Sequence, residues 1–279
     1  MELTFRQVDV FAAEPFRGNP LAVVVGADEL SDAQMAQIAN WTNLSETTFL
    51  LRPTHPDADY RVRIFTPKTE LPFAGHPTLG SAYVWHSLGG ASKSGVIVQE
   101  CGAGLVPVRR HEGRLAFSAP PRHRSGPVGQ NDLRHALEGL RLMSADILDA
   151  QWADNGPGWM VLRLRGRDDV LAIRPEWNLL RGLMVGVVGA WNPVSDGADA
   201  QFEIRAFVGE EQGWEDPVTG SLNAGIAQWL IESGLAPTRY VASQGAALGR
   251  AGRVFVEQSD GEIWVGGVVV PHIVGSIVV

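Results

Sequence analysis

Three stretches carry residue types that could move a proton or hold a small acid. They are "NLSETTF" with Glu46, "TELPFAGHPTLGSA" with Gly75 and His76, and "EDPVTGSLNAG" with Asp216, Thr219, Gly220 and Ser221. If "ETTFLL" is a strand, period-two alternation puts Glu46, Thr48 and Leu50 on one face and Thr47, Phe49 and Leu51 on the other. A carboxylate entering such an apolar sheet is partly desolvated, which raises its pKa towards the working pH and makes it a usable proton shuttle. Pro77 suits a first helical position, so His76 is expected at the N-cap or beside it, where it could donate to a substrate heteroatom or assist proton transfer. Asp216 before Pro217 reads as a turn residue, and Thr219 or Ser221 as a helix cap. Both roles keep these side chains beside a helix start that could receive a ligand: Asp216 would pair with an amino group, and Ser221 would bind a carboxylate.

The two longer stretches are copies of one pattern. At a single constant offset Glu70 lies over Glu215, Pro72 over Pro217, Gly75 over Gly220, Gly80 over Gly225, Ala82 over Ala227 and Gly89 over Gly234. The upstream runs "YRVRIF" and "FEIRAF" also agree after a short insertion, so two lobes of similar plan are expected. A pseudo-two-fold pair would bring a helix N-terminus from each lobe to one cleft. First-turn N–H groups lack intrahelical partners and carry the positive end of the helix dipole, so each such end favours an anion. Glycine at 75 and 220 lets backbone approach a ligand without a Cβ in the way.

The elements that must position these residues follow from periodicity. Strands are expected at "LTFRQVDVF", "LAVVVG", "ETTFLL", "YRVRIF", "GVIVQE", "LVPVRR" and "RLAFSAP". Helices are expected after Ser31, which caps "SDAQMAQIANW", and over "PTLGSAYVWHSLG", which stops near Gly89. The run Ala119 to Gln130, rich in Pro, Gly and Ser, is taken as the crossing between lobes, giving residues 1–118 and 119–267, with a last strand from about 268 to 279 free to cross back to the first lobe. Beyond it a short helix from Asp132, strands at "MVLRLR" and "VLAI", a helical patch after Pro175, a strand "QFEIRAFVG" and glycine-punctuated strands from Arg239 onwards are expected. Arg63 and Arg205, at equivalent repeat positions, read as polar-face strand residues, and Asn19 in "RGNP" as a turn residue that could also touch substrate.

Composition removes several function classes. A net charge of −8 without a basic stripe lacks the phosphate-neutralising term that nucleic-acid binding needs. Cys101 is the single cysteine, so no internal disulfide and no two-thiol mechanism can form. The start "MELTFRQVDVF" has no signal-peptide pattern, and no apolar run approaches the roughly 20 residues that span a bilayer; a cytoplasmic protein is expected. Histidine spacing shows no H-E-x-x-H, no G-x-G-x-x-G opens a helix, and no G-x-S-x-G elbow is present, so no metal, dinucleotide or serine-hydrolase site is expected.

The blocks "FRGNPLAVVV", "NLSETTF", "RIFTPKTELPFAGHPTLGSA" and "EDPVTGS" resemble the signatures of the PhzF-like proteins of phenazine biosynthesis, relatives of diaminopimelate epimerase. The resemblance runs from about residue 5 to the C-terminus. It implies an α+β, diaminopimelate-epimerase-like fold of two pseudo-symmetric lobes, each a β-sheet or barrel around a central helix, with the site between them. It further implies a homodimer and a metal- and cofactor-free isomerase of a small carboxylate, as in isomerisation of trans-2,3-dihydro-3-hydroxyanthranilate. Carried over by position, Glu46 matches the family's acid/base glutamate, His76 its histidine, Asp216 and Ser221 its aspartate and serine, and Gly75 and Gly220 its backbone donors; Asn19 and Thr219 complete the candidate binding set. Diaminopimelate epimerase uses cysteines near the positions of Gly75 and Gly220, and glycine at both excludes a two-thiol racemase. Epimerisation with another base and non-catalytic binding of a small acid are the alternative readings.

Overall fold

The computed structural model describes residues 1–279, and contacts divide them into two units, Met1–Ser118 with Gly266–Val279, and Ala119–Val265. The chain begins with β1 (Glu2–Val10), β2 (Asn19–Val25), α1 (Asp32–Thr42), β3 (Glu46–Leu51), β4 (Tyr60–Phe65), β5 (Glu70–Leu71), α2 (Gly75–Ser87), β6 (Ile97–Cys101), β7 (Gly104–His111) and β8 (Arg114–Ser118). It continues with β9 (Arg124–Pro127), α3 (Gln130–Leu140), β10 (Ile147–Asp154), β11 (Trp159–Leu164), α4 (Arg167–Ala172), β12 (Met184–Ala190), β13 (Phe202–Val208) and β14 (Trp214–Asp216). The last elements are α5 (Gly220–Glu232), β15 (Arg239–Gln244), β16 (Gly252–Ser259), β17 (Glu262–Gly267) and β18 (Val269–Val278).

The first unit's ladder runs β18–β1–β2–β3–β4–β6–β7–β8, with parallel steps only at β2–β3 and β4–β6. The second runs β9–β10–β11–β12–β13–β15–β16, with parallel steps at β11–β12 and β13–β15. Parallel neighbours need a crossover, and a helix supplies each one: α1 and α2 in the first unit, α4 and α5 in the second. The order of parallel and antiparallel steps is the same in both ladders, so the repeat read from the glycines extends to topology.

Local chemistry explains the helices. Ser31 Oγ accepts from the Gln34 N–H while Gln34 Oε1 accepts from the Ser31 N–H, a capping box that starts α1; Asn43, left-handed at φ 53°, ends it. α2 and α5 have the same length, and most residues of each are buried, which suits a central position and not a surface one. In its own unit α2 packs against β1, β2, β3, β8 and others, and α5 against β10, β11 and β16. Gly80 and Gly225, equivalent in the repeat, permit that approach. A Cβ at Gly80 would meet the Leu21 side chain at 2.5 Å, and one at Gly225 the Ala153 carbonyl oxygen at 2.2 Å.

The repeat also copies an ion pair. Arg63 on β4 donates from two nitrogens to both oxygens of Glu70 on β5, each at 2.7 Å, and Arg205 on β13 does the same to Glu215 on β14 at 2.9 and 2.7 Å. Arg205 is not a polar-face residue: it is 3% exposed and also donates to the Val170 and Ile173 carbonyls at the end of α4. A guanidinium can be buried there because its donors meet acceptors.

Two local expectations need correction. "VLAI" lies largely in α4, not in a strand, and the stretch after Pro175 forms turns around Trp177 to Arg181, not a helix; the strand is the later run Met184–Ala190. The Pro/Gly/Ser-rich run from Ala119 contains β9, which pairs with β10. Pro127 fits because an edge strand can spare a donor.

Gly225→Ala is expected to destabilise the protein by about 1–3 kcal/mol through overpacking against backbone. Gly275→Ala, where an added Cβ meets nothing within 4 Å, should change stability by less than about 0.5 kcal/mol. Urea unfolding of the two variants checks the contrast.

Candidate active site

In the first unit β3 is covered on both faces, so alternation sorts its side chains between two helices. Thr47 Oγ1 shares a hydrogen bond with Thr42 Oγ1 at the end of α1, and Phe49 joins the cluster that includes Met35 and Ile38. Thr48 Oγ1 accepts from Ser81 Oγ of α2 at 2.9 Å and reaches the Ala22 carbonyl of β2. Glu46 shares Thr48's face, the α2 face, and its Oε2 lies 3.2 Å from His76 Nε2.

His76 does not sit at the helix cap. Ala74 is the N-cap, Gly75 and His76 are the first two helical residues, and Pro77 is the third. Pro77 is tolerated there because first-turn N–H groups have no intrahelical acceptor to lose. The shift places the imidazole inside the unit, 3% exposed. Asn19 Nδ2 lies 3.4 Å from its Nδ1, and Asn19 is itself held by its neighbour Gly18, whose N–H donates to Asp9 Oδ2 at 2.8 Å. With the Asn19 amide facing it, Nδ1 is the acceptor, which leaves the ring proton on Nε2 towards Glu46. His76 Nε2 makes no hydrogen bond despite that distance, so its proton is not consumed by the carboxylate.

Burial keeps the imidazole neutral, pushing its pKa down from 6.5 to about 3. The Glu46 carboxylate 3.2 Å away would favour a charged ring and so opposes burial. The direction set by burial prevails for a ring with so little contact with water.

In the second unit Asp216 ends β14 and Thr219 is the N-cap of α5. The cap makes no side-chain bond to the helix. Its hydroxyl instead donates to Asp216 Oδ2 at 2.6 Å. Gly220 and Ser221 open the helix, and Ser221 Oγ accepts from the Trp159 indole N–H at 3.0 Å. An indole nitrogen can only donate, so the serine's own proton remains to be given to a ligand. Asn155 Nδ2 donates to the Ser221 carbonyl at 2.9 Å and fixes the same turn to the β10–β11 connection.

The first unit thus gathers Asn19, Glu46, Gly75 and His76, and the second gathers Asp216, Thr219, Gly220 and Ser221. Two buried glutamines escaped the sequence reading. Gln99 of β6 donates to Thr78 Oγ1 in the first turn of α2, and Gln244 of β15 accepts from the Thr219 N–H. They stand at the same offset as Gly75 and Gly220, so extending the repeat past the helices would have found them. No group of three or more His, Cys, Asp or Glu residues is disposed to hold a metal ion, and no helix is long and apolar enough to cross a membrane.

Because the folded-state pKa of His76 lies below 6.5, the unfolded chain binds a proton that the folded chain refuses. The contribution is complete above pH 6.5 and is lost as pH falls from there towards 3. Between pH 7 and 5 the urea midpoint of the wild type should therefore fall more steeply than that of His76→Gln; equal slopes contradict the neutral imidazole.

Comparison with known proteins places the chain in a family. Residues 8–271 match the family described as phenazine biosynthesis-like protein. The chain is 37% identical to Antisense-enhancing sequence 1 of Schizosaccharomyces pombe, covering 95% of each chain. It is 33% identical to the trans-2,3-dihydro-3-hydroxyanthranilate isomerase of Pseudomonas aeruginosa, covering 89% of this chain and 87% of the relative. A crystal structure of a PhzF-family phenazine biosynthesis protein from Enterococcus faecalis superposes with a TM-score of 0.81 at 26% identity, covering 100% of both chains. The architecture is therefore the expected α+β, diaminopimelate-epimerase-like one, and the chain belongs to the phenazine biosynthesis-like, or PhzF-like, family of isomerases.

Proposed function

We propose that the protein isomerises a small cyclic carboxylate of the kind used in phenazine biosynthesis, similar to trans-2,3-dihydro-3-hydroxyanthranilate, by acid/base proton transfer without metal or organic cofactor. The observation that carries this reading is Glu46 beside a buried neutral His76. Glu46 takes a proton from an acidic C–H as its carboxylate becomes a carboxylic acid, then returns it to another carbon of the same substrate. The C–H electron pair stays in the substrate and shifts its double bonds, so atoms and charge balance without a co-reactant. His76 donates from Nε2 to a substrate heteroatom and, being neutral, does not tie Glu46 into a fixed ion pair.

Asp216 pairs with the substrate amino group, and Ser221 donates to its carboxylate together with the Gly220 N–H. Gly75 supplies the matching N–H from α2, where developing negative charge is stabilised by a helix start. Asn19 holds His76 in place, and Thr219 does the same for Asp216. Epimerisation at one carbon calls for a base on each face, and glycine at 75 and 220 provides none there. On this reading the protein works in the cytoplasm as a homodimer. A groove of about 650 Å³ lined by Phe5, Ile38, Trp41, Ile273 and Ile277 has no charged side chain in its wall, which suits cover by a second copy.

Incubation with trans-2,3-dihydro-3-hydroxyanthranilate in D2O tests the assignment. The wild type should turn the substrate over with only partial deuterium incorporation, where the proton on Glu46 exchanges with solvent before its return, and Glu46→Gln should slow turnover by about 10²- to 10⁴-fold, the usual contribution of a positioned base. Unchanged turnover in Glu46→Gln removes Glu46 as the base, and no turnover by the wild type removes this substrate class.

A further inference from the structure

The second unit contains a buried side chain whose connections exceed those of a packing residue. Gln244, at the end of β15, is fully buried, and all four hydrogen-bonding positions of its amide are used. Oε1 accepts from the Thr219 N–H at 3.0 Å and from Asn223 Nδ2 at 2.8 Å. Nε2 donates to the Asp216 carbonyl at 3.1 Å and to Thr219 Oγ1 at 3.0 Å. The orientation of this amide is not arbitrary: a backbone N–H can only donate and a backbone carbonyl can only accept, so Oε1 must face Thr219 N and Nε2 must face Asp216 O.

That orientation fixes the next proton. Thr219 Oγ1 receives a proton from Gln244, so its single hydroxyl proton is directed to Asp216 Oδ2, 2.6 Å away. We propose that Gln244 is a positioning residue for the isomerase reaction, acting through Thr219 to hold the Asp216 carboxylate as a hydrogen-bond acceptor in the orientation that receives the substrate's amino group. The inference rests on the substrate-binding role given to Asp216 above.

Two further features belong to the device. Gly245 follows Gln244 at φ 95°, and a Cβ there would meet the Pro217 carbonyl oxygen at 2.7 Å, so the strand end reaches the Asp216–Thr219 turn only because that residue is glycine. The first unit has the same scaffold without the relay. Gln99 receives a proton from the buried Tyr60 hydroxyl and donates to Thr78 Oγ1, which passes its own proton to the Ala74 carbonyl. Leu71 stands there at the repeat position of Asp216. The amide is common to both copies, and the carboxylate at the end of the chain belongs to the second alone.

The test follows the carbon-13 carboxyl signal of Asp216, assigned by its absence in Asp216→Asn, through a pH titration of the full-length protein. Thr219→Val, which removes the hydroxyl at nearly constant volume, should raise the Asp216 midpoint by about one pH unit, the shift expected for losing one hydrogen bond to a carboxylate. Thr219→Ser should restore it. Gln244→Glu puts an acceptor where Nε2 was, turns the Thr219 proton away from Asp216, and should also raise the midpoint. Combining it with Thr219→Val should add less than the sum of the two effects. An Asp216 midpoint that is the same in Thr219→Val, Gln244→Glu and the wild type overturns the relay. Wild-type turnover by Asp216→Asn instead overturns the role of Asp216 in the reaction, and the two failures are read from different signals.

Discussion

A carboxylate 3.2 Å from an imidazole that burial keeps neutral persists only if the surrounding structure holds both side chains in place. Neither gains the full Coulomb attraction of an ion pair, and both have given up water. The first unit meets this demand with connections on every side. β3 is pinned to α2 through Thr48 and Ser81, His76 is set in the second position of α2, and Asn19 fixes the imidazole's other nitrogen. The outcome is a carboxylate of intermediate exposure with a nearby donor that it does not neutralise, which is the condition a proton shuttle needs. Full exposure would leave Glu46 too weak a base, and a tight ion pair with a charged histidine would hold its electrons in place.

The duplicated scaffold explains how two chemistries arise from one plan. Both units place an apolar helix among strands, open it with glycine, anchor the preceding hairpin with a bidentate arginine–glutamate pair, and tie the first turn to a buried glutamine. On that common frame the first copy carries Leu71 and His76, and the second carries Asp216 and Ser221. Positions that support the helix start are shared, while positions beside it differ. A precise frame with exchangeable side chains is what preorganised catalysis requires.

Much of this was legible in the sequence. Gly75 and Gly220, Gly80 and Gly225, and Gly89 and Gly234 expose the duplication, the last two pairs because close packing and a left-handed φ leave few other residues able to stand there. The capping box at Ser31 and the strand holding Glu46 were readable for the same reason: local pattern and local chemistry agree there. Other features depend on partners distant in sequence. Arg205 looks like a surface residue until Glu215 and the end of α4 close around it, and "VLAI" is strand-like until the turn after Gly166 and packing of Val170 against β12 and its neighbours make it helical. Gln244 gave no signal of its own, since a lone glutamine at a strand end has no characteristic pattern. Its meaning appears only when Thr219 and Asp216 arrive beside it.

The central claim is that one carboxylate, Glu46, carries the same proton out of and back into the substrate. The most direct measurement is a single turnover in ordinary water of trans-2,3-dihydro-3-hydroxyanthranilate deuterated at the carbon that loses its proton, with the product analysed by NMR. A single, largely shielded base predicts that a measurable fraction of the deuterium reappears at the new carbon, and that this transfer disappears in Glu46→Gln. Complete loss of the label to solvent in the wild type, at every turnover time, would contradict the account.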